Sequence, residues 1–329
     1  MRGLHEVLGQ DRAIALLRRA LAAGKVPHAY LFAGPSGVGK RTAAVALARA
    51  LNCERAQGAW IACGSCTACE KIASGNHPDL LFVRPSGAGN FIAVGDVREL
   101  IARLSFAPHE GSARVVVVED ADRLRPESAN AFLKTLEEPP LRTHFVLITA
   151  SPDALLVTIR SRCQRVGFLP LSASLVTEIL TASGTAPETA RTAAALGGGS
   201  VSRAMEYCQE DALERRHKRA AVLRDAVRGK GIQGVIHAAT ELAAEKEEIA
   251  PTLELLALWY RDAAGWAAGL PKDLLVHRDQ VAELGREAAS GAARLAKRAS
   301  VVLEAQAAIL GFASPQLALE QMILALREG

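Results

Sequence analysis

Residues 29–42 read Ala29-Tyr30-Leu31-Phe32-Ala33-Gly34-Pro35-Ser36-Gly37-Val38-Gly39-Lys40-Arg41-Thr42. The first five are apolar or aromatic and read as a short buried strand. Three glycines, Gly34, Gly37 and Gly39, then space a loop that ends at Lys40. The residues from Lys40 to Leu51 are strong helix formers. Strand, Gly-rich loop and helix in that order make a phosphate-binding loop. Its amides and the helix N-terminus face phosphate oxygens, and the lysine reaches the β- and γ-phosphates. The motif asks for Ser or Thr after the lysine, because that hydroxyl ligates Mg²⁺. Here Arg41 stands there, and the next hydroxyl is one residue late, on Thr42. Using Thr42 requires a shift of the helix start that displaces Lys40. The scaffold therefore leaves ATP or ADP binding open and makes Mg²⁺ doubtful.

Outward from the loop, Asp11–Ala23 has helical spacing with Ile14, Leu17 and Leu21 on one face. Residues 95–104 read as a helix, and Val115-Val116-Val117-Val118 as a buried parallel strand that ends in Glu119-Asp120. A helix over 127–138 is stopped by Pro139-Pro140. Phe145–Ile148 is another buried strand, ending at Thr149, and 153–160 reads as a short helix before Ser161-Arg162-Cys163. Alternating strands and helices imply an α/β fold with a parallel sheet, its ligands at the strand C-terminal ends. Past Phe168-Leu169-Pro170-Leu171 the pattern is helical only, with a break at Gly197-Gly198-Gly199. Three parts are expected: 1–167, a nucleotide-binding-like α/β domain; 168–209, a helical lid; and 210–329, an all-helical domain. The basic run 214–219 reads most simply as a solvated helix face, with a nucleic-acid or partner contact as the alternative.

Cys53, Cys63, Cys66 and Cys69 have the spacing C-x9-C-x2-C-x2-C. Four thiolates suit a closed, tetrahedral structural Zn²⁺ site within 53–69. An iron–sulfur cluster or free thiols are the alternatives, and Cys163 and Cys208 read as packing residues. The chain has 329 residues, 50% hydrophobic and 22% charged, with net charge +4. That mild charge and only 4% aromatics argue against a dedicated nucleic-acid-binding module. No signal peptide or membrane span is legible, so a cytoplasmic protein without membrane contact is expected. The Glu119-Asp120 pair sits where a Walker B strand usually ends Asp-Glu, the Asp supporting Mg²⁺ and the Glu polarising water. The order here is reversed.

These elements together resemble the clamp-loader branch of the AAA+ ATPases, which serves bacterial DNA polymerase III. The resemblance is strong over residues 5–168. It rests on Val7-Leu8-Gly9-Gln10, His28–Phe32, the phosphate loop, the four cysteines and His77-Pro78-Asp79. It continues through Glu119–Leu124, Leu133-Lys134-Thr135-Leu136-Glu137-Glu138-Pro139-Pro140 and Thr158–Cys163. The resemblance implies a RecA-like AAA+ fold with an inserted zinc module, a lid and a collar. It also implies a hetero-pentamer with tau/gamma and delta subunits that loads a sliding clamp onto primed DNA in the bacterial replisome, near the nucleoid. Arg41 and the reversed acidic pair depart from the ATP-hydrolysing tau/gamma type, and the length leaves no room for tau's further domains. The stator type fits better: it hydrolyses little or no ATP and donates an arginine finger, here Arg162, to a neighbour's ATP site. Thr149 falls at a sensor position. Ser202 stands where active subunits place a lid arginine, with Arg203 one residue on.

Overall fold

The computed structural model describes residues 3–56, 61–87, 89–209, 212–311 and 313–328. Residues 57–60 of the cysteine segment and residues 210 and 211 at the expected collar boundary therefore lie outside it. The chain divides into two compact units. One comprises 1–184 with 197–203, the other 185–196 with 204–329.

The first unit is built on five parallel strands: β1 (Ala29–Ala33), β2 (Leu80–Val83), β3 (Arg114–Val118), β4 (Thr143–Thr149) and β5 (Gln164–Gly167). Their spatial order is β2-β3-β4-β1-β5. Every residue of β1 and β3 is buried, as a sheet covered on both faces requires. Side chains alternate between two cores. Tyr30, Phe32, Val115, Val117, Val146 and Ile148 pack with α1 (Asp11–Ala22) and α2 (Lys40–Asn52). Leu31, Val116, Val118, Phe145 and Leu147 pack with the later helices. Of these, α4 (Val94–Leu104) and α5 (Pro126–Glu137) lie between β2 and β4, whereas α3 (Thr67–Ser74), just before β2, places Ile72 in the first core. The four-residue α6 (Val157–Arg160) and α7 (Ala173–Ala182) follow. This is the AAA+ sheet that the resemblance implies, with the phosphate loop after β1 and the acidic pair after β3.

Three elements, β2, β5 and α3, are additions to those expected from the sequence. The edge strand β5 buries only Val166, so no alternation marks it. The single helix expected over 153–160 is two pieces, a 3-10 turn at Pro152–Ala154 and then α6. Leu155, buried and extended, separates them.

The second unit holds α8 (Pro187–Leu196), the end of α9 (Val201–Tyr207), α10 (Ala212–Arg228), α11 (Ile232–Ala244), α12 (Lys246–Ala267), α13 (Val281–Ala288), α14 (Ala292–Leu310) and α15 (Pro315–Glu328). Leu253, Leu256, Trp259 and Tyr260 of α12 meet Leu295 and Val302 of α14 and Leu319, Met322 and Ile323 of α15 in one core. The basic run is the expected solvated face only in part: Glu214, Arg215 and Lys218 are exposed, but the others are not. Arg216 is 7% exposed and pairs with Glu248 of α12 at 2.8 Å, and Arg219 pairs with Glu245 and Glu248. Burial of the arginine stems against a neighbouring helix, with carboxylates to meet the heads, accounts for the difference.

His77-Pro78-Asp79 has a structural role. The buried Asp79 carboxylate accepts the amides of His109, Glu110 and Gly111 at 2.7–2.8 Å. Arg114 lies 3.5 Å away and donates to the carbonyls of Phe106 and Ala107, which ties the α4–β3 loop to the start of β2. Burial works against the charged carboxylate, but the three amides and Arg114 hold its pKa below the ordinary value. A depressed folded pKa stabilises above the unfolded value and is lost as pH falls through the folded one. Asp79→Asn is expected to cost roughly 3 kcal/mol at pH 7, since it leaves Arg114 uncompensated. Urea unfolding at pH 7 and pH 3 checks this: the gap to the parent should narrow at the lower pH.

Candidate nucleotide site and cysteine cluster

The loop after β1 is held by packing that only glycine permits. Gly37 has φ +71°, and a Cβ there would lie 2.2 Å from Ser200 Oγ. Its carbonyl accepts the Val201 amide at 2.9 Å. A Cβ on Gly34 would lie 2.2 Å from the Phe168 carbonyl oxygen. Gln10, 3% exposed, completes the frame. Its amide donates to the carbonyls of Val38 at 3.1 Å and Leu169 at 2.7 Å and accepts the Leu169 amide at 3.0 Å. In the sequence Gln10 stands out only as part of the Val7–Gln10 motif. A polar residue between a helix start and an apolar run was the signal that it clamps backbone.

A cavity of 460 Å³ opens at the loop. Gly37, Gly39, Lys40, Arg41 and Thr42 line it together with Glu119, Asp120, Ser36 and Ser202. Gly34, Thr149 and Arg162 do not line it, and at the lid position Ser202, not Arg203, does. Lys40 is 6% exposed and turned onto its own loop, where its ammonium donates to the carbonyls of Gly34 and, at 2.6 Å, Pro35. Burial lowers its pKa, against the pull of Asp120 and Asp122.

The acidic strand end is occupied by cations. Arg41 Nε lies 3.0 Å from one Glu119 carboxylate oxygen, and Arg84 Nε lies 3.0 Å from the other. Both guanidinium groups also lie over the Phe82 ring, 5.2 and 5.1 Å from its centre. Such partly exposed pairs add about 1 kcal/mol or less each to stability. Their consequence is chemical: both oxygens of the carboxylate best placed to support a metal face arginine. Asp120 is left-handed at φ +46°, and its carbonyl accepts the Arg123 amide. The Thr149 hydroxyl donates to Asp122 at 2.5 Å and accepts the Ser151 amide at 2.9 Å.

Arg162 follows α6, away from the loop cavity. It donates to Glu137 Oε1 at 2.5 Å and to the Thr158 carbonyl at 3.0 Å. Its side chain is 34% exposed. Glu137 comes from the Leu133–Pro140 run, so two motifs distant in sequence meet in one ion pair.

The four cysteines converge, their sulfurs all within 4.8 Å of one another, with Cys53 and Cys66 at 4.0 Å. A tetrahedral Zn–S site needs sulfurs roughly 3.8 Å apart, so this donor set can hold a metal ion. The Ser65 amide lowers the Cys63 thiol to about 6, whereas burial pushes Cys69 up to about 12 and raises Cys53. Metal binding there would expel protons from the buried thiols. Among the described residues, the local apolar cluster adds only Ala62 and Ala68 to the cysteines. Cys163 packs in the sheet core and burial pushes its thiol up to about 12. No helix among the described residues is long and apolar enough to cross a membrane.

Comparison of the sequence with known proteins finds DNA polymerase III subunits. The family described as "DNA polymerase III, delta subunit" matches residues 9–172, and "DNA polymerase III, delta subunit, C terminal" matches residues 210–328. The DNA polymerase III subunit delta' of Bacillus subtilis is 31% identical over 324 residues, 97% of each chain. That of Pseudomonas aeruginosa is 35% identical over 258 residues, 77% of this chain and 74% of the relative. The tau subunit of Escherichia coli is 40% identical over 158 residues, but these are 48% of this chain and 24% of tau. The likeness to tau covers about half of this chain, whereas the likeness to the Bacillus delta' subunit runs nearly end to end. The chain belongs to the delta prime family of DNA polymerase III subunits.

Proposed function

We propose that this chain is the stator of a clamp loader. It assembles with tau/gamma and delta subunits, helps load the sliding clamp onto primed DNA, and lends Arg162 to a neighbour's ATP site without hydrolysing ATP itself. The observation that carries the reading is Glu119 held between Arg41 and Arg84. With both carboxylate oxygens facing guanidinium groups and no hydroxyl after Lys40, the site has no ready place for Mg²⁺. The loop amides and Lys40 remain able to take the phosphates of ATP or ADP once Lys40 leaves its own carbonyls. In this reading Gly34, Gly37, Gly39, Lys40, Arg41, Thr42, Glu119, Asp120 and Thr149 form a nucleotide site that no longer turns over.

Arg162 has the chemistry for action in trans. It is partly exposed, stands away from its own loop cavity, and is steadied by one partly exposed ion pair with Glu137. A guanidinium placed on a neighbour's γ-phosphate stabilises transition-state charge and is worth roughly 10³–10⁵ in rate. In the reconstituted loader, Arg162→Ala is expected to remove most ATP turnover at that interface, with assembly kept. Glu137→Ala is expected to give a smaller loss, because it removes a tether and leaves the cation. Unchanged turnover in an assembled Arg162→Ala loader would sink the finger role.

We further propose that residues 1–167, 168–209 and 210–329 serve as ATPase-like domain, lid and collar in a cytoplasmic complex. Zn²⁺ at Cys53, Cys63, Cys66 and Cys69 would staple the 53–69 excursion. Stripping the protein with a chelator is expected to release one zinc ion per chain and to open this segment to protease, with the helical C-terminal unit left folded. Metal analysis beside limited proteolysis checks this; iron in place of zinc would overturn the assignment.

A further inference from the structure

Four lysine or arginine side chains are buried among the described residues: Lys40, Arg49, Arg114 and Arg216. Three have partners. Lys40 donates to loop carbonyls, Arg114 meets Asp79 and carbonyls, and Arg216 meets Glu248. Arg49, 6% exposed, has no hydrogen-bond or ion-pair partner among the described residues, and its Nε is sealed from solvent without an acceptor.

Arg49 lies in the last turns of α2 and lines a cavity of 510 Å³. The walls come from α2, the end of α3 and Phe82 of β2. Among the described residues, no Asp or Glu lines it. Arg41, Val45 and Arg49 recur every four residues and form one stripe, roughly 12 Å long, along this wall. Arg41, with its side chain 58% exposed, is the more open end of the stripe and Arg49 the buried one. An unpaired buried cation is among the most costly features a fold can keep. The carbonyl dipoles at the α2 C-terminus ease that cost but supply no counter-charge.

We propose that this cavity is a second oxyanion site, next to the phosphate-loop cavity with which it shares Arg41 and Thr42, in which Arg49 receives a phosphate-class dianion and Arg41 guards the entrance. Planar, fixed guanidinium donors suit tetrahedral oxyanions. The ligand is inorganic phosphate or the phosphoryl group of a phosphomonoester, two sources that share this chemistry.

The test is calorimetric titration of the intact chain with inorganic phosphate and, separately, with AMP, beside Arg49→Met. Saturable phosphate binding in the parent, weakened at least tenfold in the variant, is expected. If AMP behaves the same way, the cavity admits phosphomonoesters; if only phosphate does, it takes the free anion. Thermal unfolding in phosphate-free buffer guards against a merely structural role: removal of an uncompensated charge should leave the midpoint unchanged or raise it. The proposal is overturned by absence of saturable binding, by binding that survives in Arg49→Met, which would put the anion on the phosphate loop, or by a lowered midpoint in that variant.

Discussion

The contact on which the functional account turns is the double ion pair at Glu119. A carboxylate at the end of a buried parallel strand is well placed to hold a metal against a bound triphosphate. Here Arg41 and Arg84 face its two oxygens and lie over the same Phe82 ring. Replacing the hydroxyl residue by arginine therefore does two things at once. It removes a Mg²⁺ ligand, and it brings in a cation that competes for the remaining acidic one. The pairs are worth little to stability, so they are better understood as setting the electrostatics of the site than as holding the fold.

The glycine loop survives this change because packing also demands it. Gly34 and Gly37 each approach a neighbouring segment too closely for a Cβ, against Phe168 and Ser200. Gln10 and the Val201–Gly37 hydrogen bond knit the same loop to the start of α1, to the segment after β5 and to the start of α9. A phosphate loop used as a structural joint keeps its glycines whether or not it turns over nucleotide. The same reasoning covers Lys40, whose charge is met by loop carbonyls.

Much of the α/β unit was legible from the sequence, because strands covered on both faces read as short apolar runs and α1, α2, α4 and α5 have clear periodicity and stops. The edge strand β5 was not, since it buries one side chain, and the Leu155 break could not be told from a helix turn. At the site, the mismatch at Arg41 and the reversed acidic pair were visible at once. Arg84 was not: it lies in a different strand's wake, and only the β2–β3 pairing brings it to Glu119. The Glu137–Arg162 pair was hidden too, because the packing of α5 against α6 joins residues far apart in sequence. The fate of the basic run 214–219 shows the limit of charge patterning, which cannot say that Glu248 waits on another helix.

In the stator reading, an engaged Glu119 leaves the isolated chain unable to use Mg²⁺ and ATP. Steady-state ATP turnover by the purified chain at saturating Mg²⁺ is the measurement. With Glu119 engaged by two arginines and Arg41 in the hydroxyl position, no turnover above background is predicted. Turnover that disappears when Lys40 is replaced by alanine would place hydrolysis at this loop and contradict the account.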